Sequence, residues 1–141
     1  MMDALLRDWT SYEHTKAPFG LIISPTRELA MQITNVMNDL GKKLLQKTGC
    51  KVEVATIVGG MSEQKQRRIL SGKKQSLHFI VATPGRLCEI LEDMNHETCN
   101  AFKDMSTLRF LVVDEADRIM EDGHYAEVMC LANHPSIPLI A

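Results

Sequence analysis

The stretch from Phe19 to Ala30, FGLIISPTRELA, decides the fold class, because a short apolar run ends abruptly in serine and proline. Three further apolar runs, at 52–58, 78–82 and 108–113, also end in turn-forming or acidic residues. Runs of this length that are rich in large and β-branched side chains are typical of strands buried on both faces of a sheet. The sequence therefore predicts four buried strands, the first at 19–23.

Helical patterns separate these runs. Apolar residues recur at helical spacing between Leu29 and Leu44, and further helices are expected at 62–70, at 86–94 and from Ala116 onward. Strands that alternate with helices indicate βαβ units and an α/β fold with a parallel sheet. In such a sheet the turns after the strands meet at one edge, where open α/β sheets bind their ligands.

Composition restricts the partners. The chain has 141 residues, enough for one domain or part of one, and a net charge of −2. No apolar run approaches the roughly 18 residues of a membrane span, and the first residues do not read as a signal peptide, so no membrane partner is expected. Any nucleic-acid contact must be local, because there is no broad basic field. The four cysteines form no C-x-x-C pair and are expected to be reduced and packed, without a metal.

Two of the strand-terminal turns combine a cap residue with proline. Ser24 is predicted to cap a helix that begins at Pro25, and Thr83 with Pro84 repeats the pattern. The free N–H groups and partial positive charge of such helix starts suit phosphate. The alternative for any single turn is ordinary helix capping.

The remaining turn and two arginines extend this pattern. Gly59-Gly60 gives an unobstructed backbone before Ser62, which is predicted to cap the next helix. Arg27 and Arg86 lie in the first turns of their helices, where they can add charge-assisted bonds or simply remain solvated.

The fourth strand runs directly into Asp114-Glu115-Ala116-Asp117. Apolar residues followed by paired carboxylates resemble a Walker B element, which holds Mg²⁺ on a nucleotide. The alternative is a helix start stabilised by acidic residues, but that alternative explains only the acidic pair and not the whole ordered set of turns.

Together these segments resemble the DEAD-box RNA helicases. Residues 24–30 match motif Ia, Gly59-Gly60 the GG motif, 83–86 motif Ib and 114–117 motif II, in the family's order. The resemblance runs from about Phe19 to Glu127 and implies a partial RecA-like sheet of the P-loop NTPase type. Residues 59–66 and 116–127 look most like a nucleolar branch of the family that assembles the large ribosomal subunit.

The resemblance implies a role for each matching residue. Asp114 would hold Mg²⁺ through water, Glu115 would orient or deprotonate the water that attacks ATP, and Asp117 would link the nucleotide state to the rest of the core. It also implies ATP and Mg²⁺ as cofactors, RNA as a sequence-independent partner, ribosome-assembly factors as further partners, no DNA, and a nuclear, mainly nucleolar, or else cytoplasmic location. The RNA backbone would be held by Pro25, Thr26, Arg27, Gly59, Gly60, Thr83, Pro84, Gly85 and Arg86.

One family element has no counterpart in the sequence. Neither Gly41-Lys42 nor Gly72-Lys73 fits the phosphate-loop pattern G-x-x-x-x-G-K-[ST]. The expected organisation therefore has three parts. Residues 1–18 are a remnant of the segment that follows the missing phosphate loop, residues 19–128 are a partial ATP-binding domain, and residues 129–141 are a divergent tail. Loss of the strand that carries the loop would leave an exposed apolar sheet edge.

Three functions stay open at this point. The chain is expected to be part of an ATP-dependent RNA helicase, inactive alone for want of the phosphate loop, the Ser-Ala-Thr motif and the second RecA-like domain. The first alternative is a non-catalytic short product that binds only RNA or a protein partner. The second is an unrelated α/β domain with chance matches.

Overall fold

Four short strands form one parallel sheet, with helices between them along the chain. The computed structural model describes residues 1–7, 9, 18–71, 77–92, 105, 108–121 and 123–133. This part of the chain contains the strands β1 (Gly20–Ile23), β2 (Val54–Ile57), β3 (Phe79–Ala82) and β4 (Phe110–Val113). It also contains the helices α1 (Met2–Arg7), α2 (Arg27–Thr48), α3 (Glu63–Leu70), α4 (Pro84–Glu92), α5 (Ala116–Glu121) and α6 (Tyr125–Ala132).

The strand order brings the ends of all four strands to one edge. The order is β2-β3-β1-β4, and every neighbouring pair is parallel. Ile23 at the end of β1 pairs with Ala82 on one side and with Val113 on the other, and Ala82 pairs with Ile57. The predicted α/β fold with a parallel sheet is confirmed, and the turns that follow the strands start level with one another at one edge.

A hydrophobic core lies on each face of the sheet. Leu21 and Ile23 of β1 belong to one cluster with the buried face of α4, whereas Ile22 belongs to the other with Ala30 and Met37 of α2. Every residue of β1 and β3 is buried, as predicted for strands covered on both faces. Burying one large apolar side chain contributes about 1.5–3 kcal/mol, so these two central strands anchor the fold.

The prediction of burial on both faces is wrong for β4. Leu111 and Val112 are 37% and 36% exposed. Among the described strands β4 pairs with β1 alone, at one end of the sheet, and its side chains are only partly covered. The outcome agrees with the expected exposed apolar edge, a feature that favours association with other strands.

The predicted helix starts are correct for two helices and wrong for one. Ser62 caps α3, with its hydroxyl accepting from the N–H of Lys65. Helix α4 begins at Pro84, as the Thr83-Pro84 pattern predicted, although the helical segment itself was expected only from residue 86. The cap of α2 is Thr26 and not Ser24, because Thr26 has the extended backbone of a cap residue and its side chain accepts from the N–H of Leu29. Ser24 instead donates its N–H to the carbonyl of Ala82 and is fully buried.

The other expectations about helices concern length and position. The four-turn apolar stripe that begins at Leu29 is part of α2, which spans 22 residues. In the described ranges, no helix combines the length and the apolar character that crossing a bilayer requires. The predicted end of the third helix at Met94 falls outside the described residues.

Buried His78 makes the stability of the fold depend on pH. Its ring Nδ1 accepts from the N–H of Glu53 at 3.1 Å, and Trp9 stacks on the ring with centroids 5.1 Å apart. Burial lowers the pKa of His78 from its ordinary 6.5, and the smaller opposing influence is the charge of Glu53. The folded state therefore binds fewer protons here than the unfolded chain, so this contribution is present above pH 6.5 and is lost as the pH falls below it.

We expect the free energy of unfolding to rise with pH in the acidic range below 6.5, by at most about 1.4 kcal/mol per pH unit from this site. His78→Asn, which retains an acceptor but does not titrate, should flatten that part of the curve. Urea unfolding across this range measures the slope, with His124→Asn as the partly exposed control. An unchanged slope in His78→Asn would show that another group is responsible.

Candidate nucleic-acid interface

An open cleft of 330 Å³ lies where the turns after β1, β2 and β3 meet. It is the place where the sequence predicted that helix starts would converge. Seven of the nine residues assigned to the RNA backbone line it, and Thr26 and Gly60 are next to the lining in the chain. The lining consists of Pro25, Arg27, Gly59, Thr83, Pro84, Gly85, Arg86, Glu89 and His124.

The turn after β1 places Arg27 over the turn after β2. The hydroxyl of Thr26 accepts from the N–H of Leu29 at 3.2 Å, which fixes the start of α2. Arg27, the first residue of α2, is exposed, and its Nη1 donates to the carbonyl of Gly59 at 3.3 Å. Side chains of the first turn are thereby joined to the backbone of the second.

The turn after β2 depends on glycine at one position. Gly60 has a φ of +75°, in the left-handed region that L side chains avoid. A Cβ built on Gly60 would lie 2.5 Å from Nη1 of Arg27, whereas one on Gly59 would meet nothing within 4 Å. Gly60 therefore allows both the turn and the close approach of the Arg27 guanidinium.

The turn after β3 is held by Thr83 and carries the more buried arginine. The N–H of Thr83 donates to the carbonyl of Ile57, and the N–H of Leu87 donates to the carbonyl of Thr83. The Arg86 side chain is only 16% exposed. Its Nη1 donates to Glu89 at 2.7 Å and its Nε donates to Gln66 at 2.8 Å. These bonds use two of the five N–H donors of a guanidinium and hold its plane in one orientation.

The sequence analysis missed three side chains at this site: Glu89, Gln66 and His124. The sequence spacing could have indicated Glu89, since a carboxylate three residues after Arg86 on a helix is its neighbour. Gln66 had a weaker signal, because it lies four residues before buried Leu70 on the inner side of α3. His124 had none, because it reaches the cleft only through the packing of α6 on α4.

Acidic groups around the cleft reduce its positive charge. The pKa of Glu63 is lowered by a hydrogen bond and the charge of Arg67, with a smaller influence from Arg86. The pKa of Glu127 is lowered first by a backbone hydrogen bond at its own residue and then by His124, whose Nδ1 lies 3.2 Å away. Glu127 and Glu63 are therefore anionic at neutral pH, and the permanent positive charges of the cleft lining are those of Arg27 and Arg86.

The acidic segment follows β4 at the same edge, outside the lining of the cleft. The N–H of Asp114 donates to the carbonyl of Ile23 at 2.8 Å, so the carboxylates start beside the turn that leads to Arg27. Glu115 has a φ of +46° and is, among the described residues, the one non-glycine with a positive φ. Its carboxylate lies 3.4 Å from Nη1 of Arg118. Asp117 is exposed in the first turn of α5.

Backbone strain at Glu115 singles it out from ordinary acidic helix starts. A side chain in a sparsely populated backbone region costs about 1–3 kcal/mol and is found preferentially at functional sites. An acidic pair that served only to stabilise a helix start would not need this conformation. The observation favours a chemical role for the segment.

The donors present suit Mg²⁺ rather than a fully protein-bound metal. Within the described ranges, no three histidine, cysteine or carboxylate side chains are grouped to hold an ion. Mg²⁺ is commonly bound by one or two carboxylates, with waters and substrate phosphates completing its shell. Asp114 at the strand end fits that pattern as a single carboxylate ligand.

Comparison with known proteins agrees with this geometry. The DEAD/DEAH box helicase family model matches residues 1–138. A parallel sheet with its turns gathered at one edge, and a strand that ends in Asp-Glu-Ala-Asp, therefore define a partial RecA-like domain, and the chain belongs to the DEAD/DEAH box helicase family.

Curated relatives give the same class. ATP-dependent RNA helicase MAK5 of Coccidioides immitis is 40% identical over 121 residues, which are 86% of this chain and 14% of that protein. ATP-dependent RNA helicase DDX24 of Homo sapiens is 42% identical over 120 residues, 84% of this chain and 12% of that protein. The chain thus spans less than a fifth of the length of these relatives.

Solved structures share the fold. The yeast DEAD-box splicing factor Prp28 aligns with a TM-score of 0.69 and 33% identity, covering 86% of this chain and 24% of that one. The RNA helicase Prp28 from Chaetomium thermophilum bound to ADP aligns with the same TM-score at 28% identity, covering 95% of this chain and 29% of that one. The RecA-like fold predicted from the four motifs is confirmed.

Proposed function

We propose that this chain is a segment of an ATP-dependent RNA helicase. The segment holds the RNA backbone and also carries the carboxylates that act on the nucleotide. The observation that carries the proposal is the convergence of three strand-terminal turns on one cleft with Arg27 and Arg86. Their donors are backbone N–H groups and guanidinium groups, which suit phosphate oxygens. Phosphate contacts position a protein on nucleic acid without reading its sequence, so binding is independent of base identity.

Each predicted backbone-binding residue has a place in this proposal. Arg27 and Arg86 contact phosphates, Gly59, Gly60 and Gly85 let the RNA backbone approach closely, and Thr26 and Thr83 fix the turns. Pro25 and Pro84 are buried beneath the cleft and shape its floor. The small net charge of −2 is compatible with the proposal, because a few aimed donors replace a broad basic surface.

The acidic segment would serve ATP hydrolysis in the whole helicase. When bound, Mg²⁺ on ATP neutralises developing charge on the transferred phosphate. Asp114 would hold the ion, through water, and Glu115 would orient or deprotonate the attacking water. Asp117 links these groups to the rest of the core. The left-handed backbone of Glu115 supports its assignment, and a positioned base typically contributes about 10²–10⁴-fold to rate.

The sequence itself favours one alternative for the isolated chain. It contains no phosphate-loop pattern, so a non-catalytic product that binds only the RNA backbone or a protein partner is the second candidate function. We accordingly propose that residues 19–128 form a partial ATP-binding domain, that 1–18 follow a phosphate loop in the longer protein, and that 129–141 diverge from the family pattern.

The cellular role follows from the narrower resemblance. Residues 59–66 and 116–127 support a place in assembly of the large ribosomal subunit, and MAK5 and DDX24, both named as ATP-dependent RNA helicases, are compatible with it. We propose a nuclear, mainly nucleolar location, with ribosome-assembly factors as partners. The localisation of an endogenously tagged protein tests this, and an exclusively cytoplasmic signal would contradict it.

Arg27→Ala and Arg86→Ala should each weaken RNA binding by about three- to tenfold, equally for unrelated single-stranded RNAs. Non-specific affinities are typically 10⁻⁴–10⁻⁶ M, and each lost phosphate contact reduces the salt slope by about 0.7. Fluorescence anisotropy with two RNAs at several salt concentrations measures both quantities.

Arg68→Ala is the matched control for these substitutions, since it removes one exposed positive charge from α3, outside the cleft lining. It should change the affinity less than twofold. Binding that is sequence-selective, or that falls for Arg68→Ala and not for the cleft arginines, would place RNA recognition elsewhere on the surface.

A further inference from the structure

Gln66 connects two of the three turns that form the cleft. It lies on α3 and is fully buried, with 0% of its surface exposed. Its Nε2 donates to the carbonyl of Val58 at 2.7 Å, and its Oε1 accepts from Nε of Arg86 at 2.8 Å. Val58 directly precedes Gly59, so one side chain bonds both the turn after β2 and the arginine of the turn after β3.

The chemistry of this link is specific to an amide. A carbonyl needs a donor and a guanidinium needs an acceptor, and the glutamine side chain supplies both in one plane. A carboxylate would offer no donor to Val58, and an apolar side chain of similar size would offer neither group. Removing one partner of a buried hydrogen bond leaves the other unsatisfied, which destabilises the arrangement that the bond held.

The link controls the orientation of Arg86. Nη1 of Arg86 bonds Glu89 on the exposed side, and Nε bonds Gln66 on the buried side, so the guanidinium is fixed at two edges. A planar fork held in this way loses little further freedom when it binds a phosphate. Without Gln66, Arg86 would keep its charge but not its direction.

We propose that Gln66 is a positioning residue of the RNA site, which acts through Arg86 to aim its guanidinium at the phosphodiester backbone and to hold the Gly59-Gly60 turn beside it. The inference rests on the proposed function, since it needs Arg86 to be an RNA ligand. Gln66 is thereby added to the residues of the RNA site, although it has no exposed surface and makes no RNA contact of its own.

Gln66→Met tests the proposal, because it keeps the length of the side chain and removes both hydrogen bonds. We expect the affinity of the 141-residue chain for single-stranded oligouridylate to fall about three- to tenfold. Gln64→Met, the same change on an exposed position of the same helix, is the matched control and should leave the affinity within twofold. Equal RNA affinity in folded Gln66→Met and in the parent chain would overturn the proposal.

A double-mutant cycle separates positioning from general stability. Added to Arg86→Ala, Gln66→Met should reduce RNA affinity less than twofold further, although it still lowers the unfolding midpoint. A full additional loss would show that Gln66 acts independently of Arg86 and would overturn the inference. If Arg86→Ala alone leaves the affinity unchanged, the proposed function of Arg86 fails first and the inference falls with it.

Arg86→Lys gives a second test that leaves the buried glutamine in place. Lysine keeps the charge but cannot bond Gln66 and Glu89 as a rigid fork. The proposal expects a loss close to that of Gln66→Met. Parental affinity in Arg86→Lys would show that charge alone suffices, which would overturn the positioning role even if Gln66→Met did not fold.

Discussion

The 141-residue chain is expected to release no phosphate from ATP above background, with or without RNA. Phosphoryl transfer relies almost entirely on positioning and charge stabilisation, and the phosphate loop supplies much of both. The sequence contains no G-x-x-x-x-G-K-[ST] pattern, so Asp114 and Glu115 have no held nucleotide to act on. A phosphate-release assay on purified chain, with circular dichroism to confirm folding, makes the measurement.

Glu115→Gln provides the control for that assay. In a longer protein that includes a phosphate loop, this change should lower RNA-stimulated turnover by about 10²–10⁴-fold, because it removes the proposed base and keeps the shape of the side chain. In the 141-residue chain it should change nothing. Turnover by the chain that Glu115→Gln abolishes would contradict the expectation.

Gly60→Ala should affect RNA binding more than any single arginine substitution in the cleft. The new Cβ would lie 2.5 Å from Nη1 of Arg27, so the guanidinium must leave the carbonyl of Gly59. The same methyl group would stand where the RNA backbone is proposed to approach. We expect a loss of at least about tenfold in affinity, which corresponds to about 1.4 kcal/mol.

Gly49→Ala is the matched control for this change. Gly49 has the same φ of +75°, at the end of α2, but a Cβ there would meet nothing within 4 Å. Both variants should lose about 1–2 kcal/mol of stability from backbone strain, and Gly60→Ala alone should lose RNA affinity. Anisotropy together with urea unfolding separates the two effects. Equal RNA affinity in both variants would remove the Gly59-Gly60 turn from the site.

The fold could be predicted from the sequence because its signals are local. The apolar runs mark all four strands to within two or three residues. The alternation of strands with helices predicts that neighbouring strands are parallel. The start of α2 could not be predicted, because Ser24 and Thr26 are both good caps. The choice depends on the sheet: the N–H of Ser24 donates to the carbonyl of Ala82 and continues the pairing of β1 with β3, so the helix begins only after Thr26.

The residues of the candidate site could be predicted where they lie in the turn directly after a strand. They could not be predicted where helix packing brings them to the cleft. Arg27 and Arg86 follow directly from the helix starts. Gln66 on α3 and His124, directly before α6, reach the cleft through helix packing, so the sequence marks Gln66 only weakly and His124 not at all. The strained φ of Glu115 is a property of the folded turn and is likewise invisible in the sequence.

The place of β4 at the end of the described sheet leads us to expect unequal local stability across the site. β1 and β3 are buried along their whole length, so the turns that hold Arg27 and Arg86 should open only at a high free-energy cost. β4 is half exposed and carries Asp114 and Glu115 at its end. Segments with few buried contacts open at lower free-energy cost and supply the moving parts of proteins. We therefore expect the cleft proposed to bind RNA to be the more rigid part of the site, and the carboxylates to lie on the part whose conformation a neighbouring strand or a bound nucleotide would most easily change.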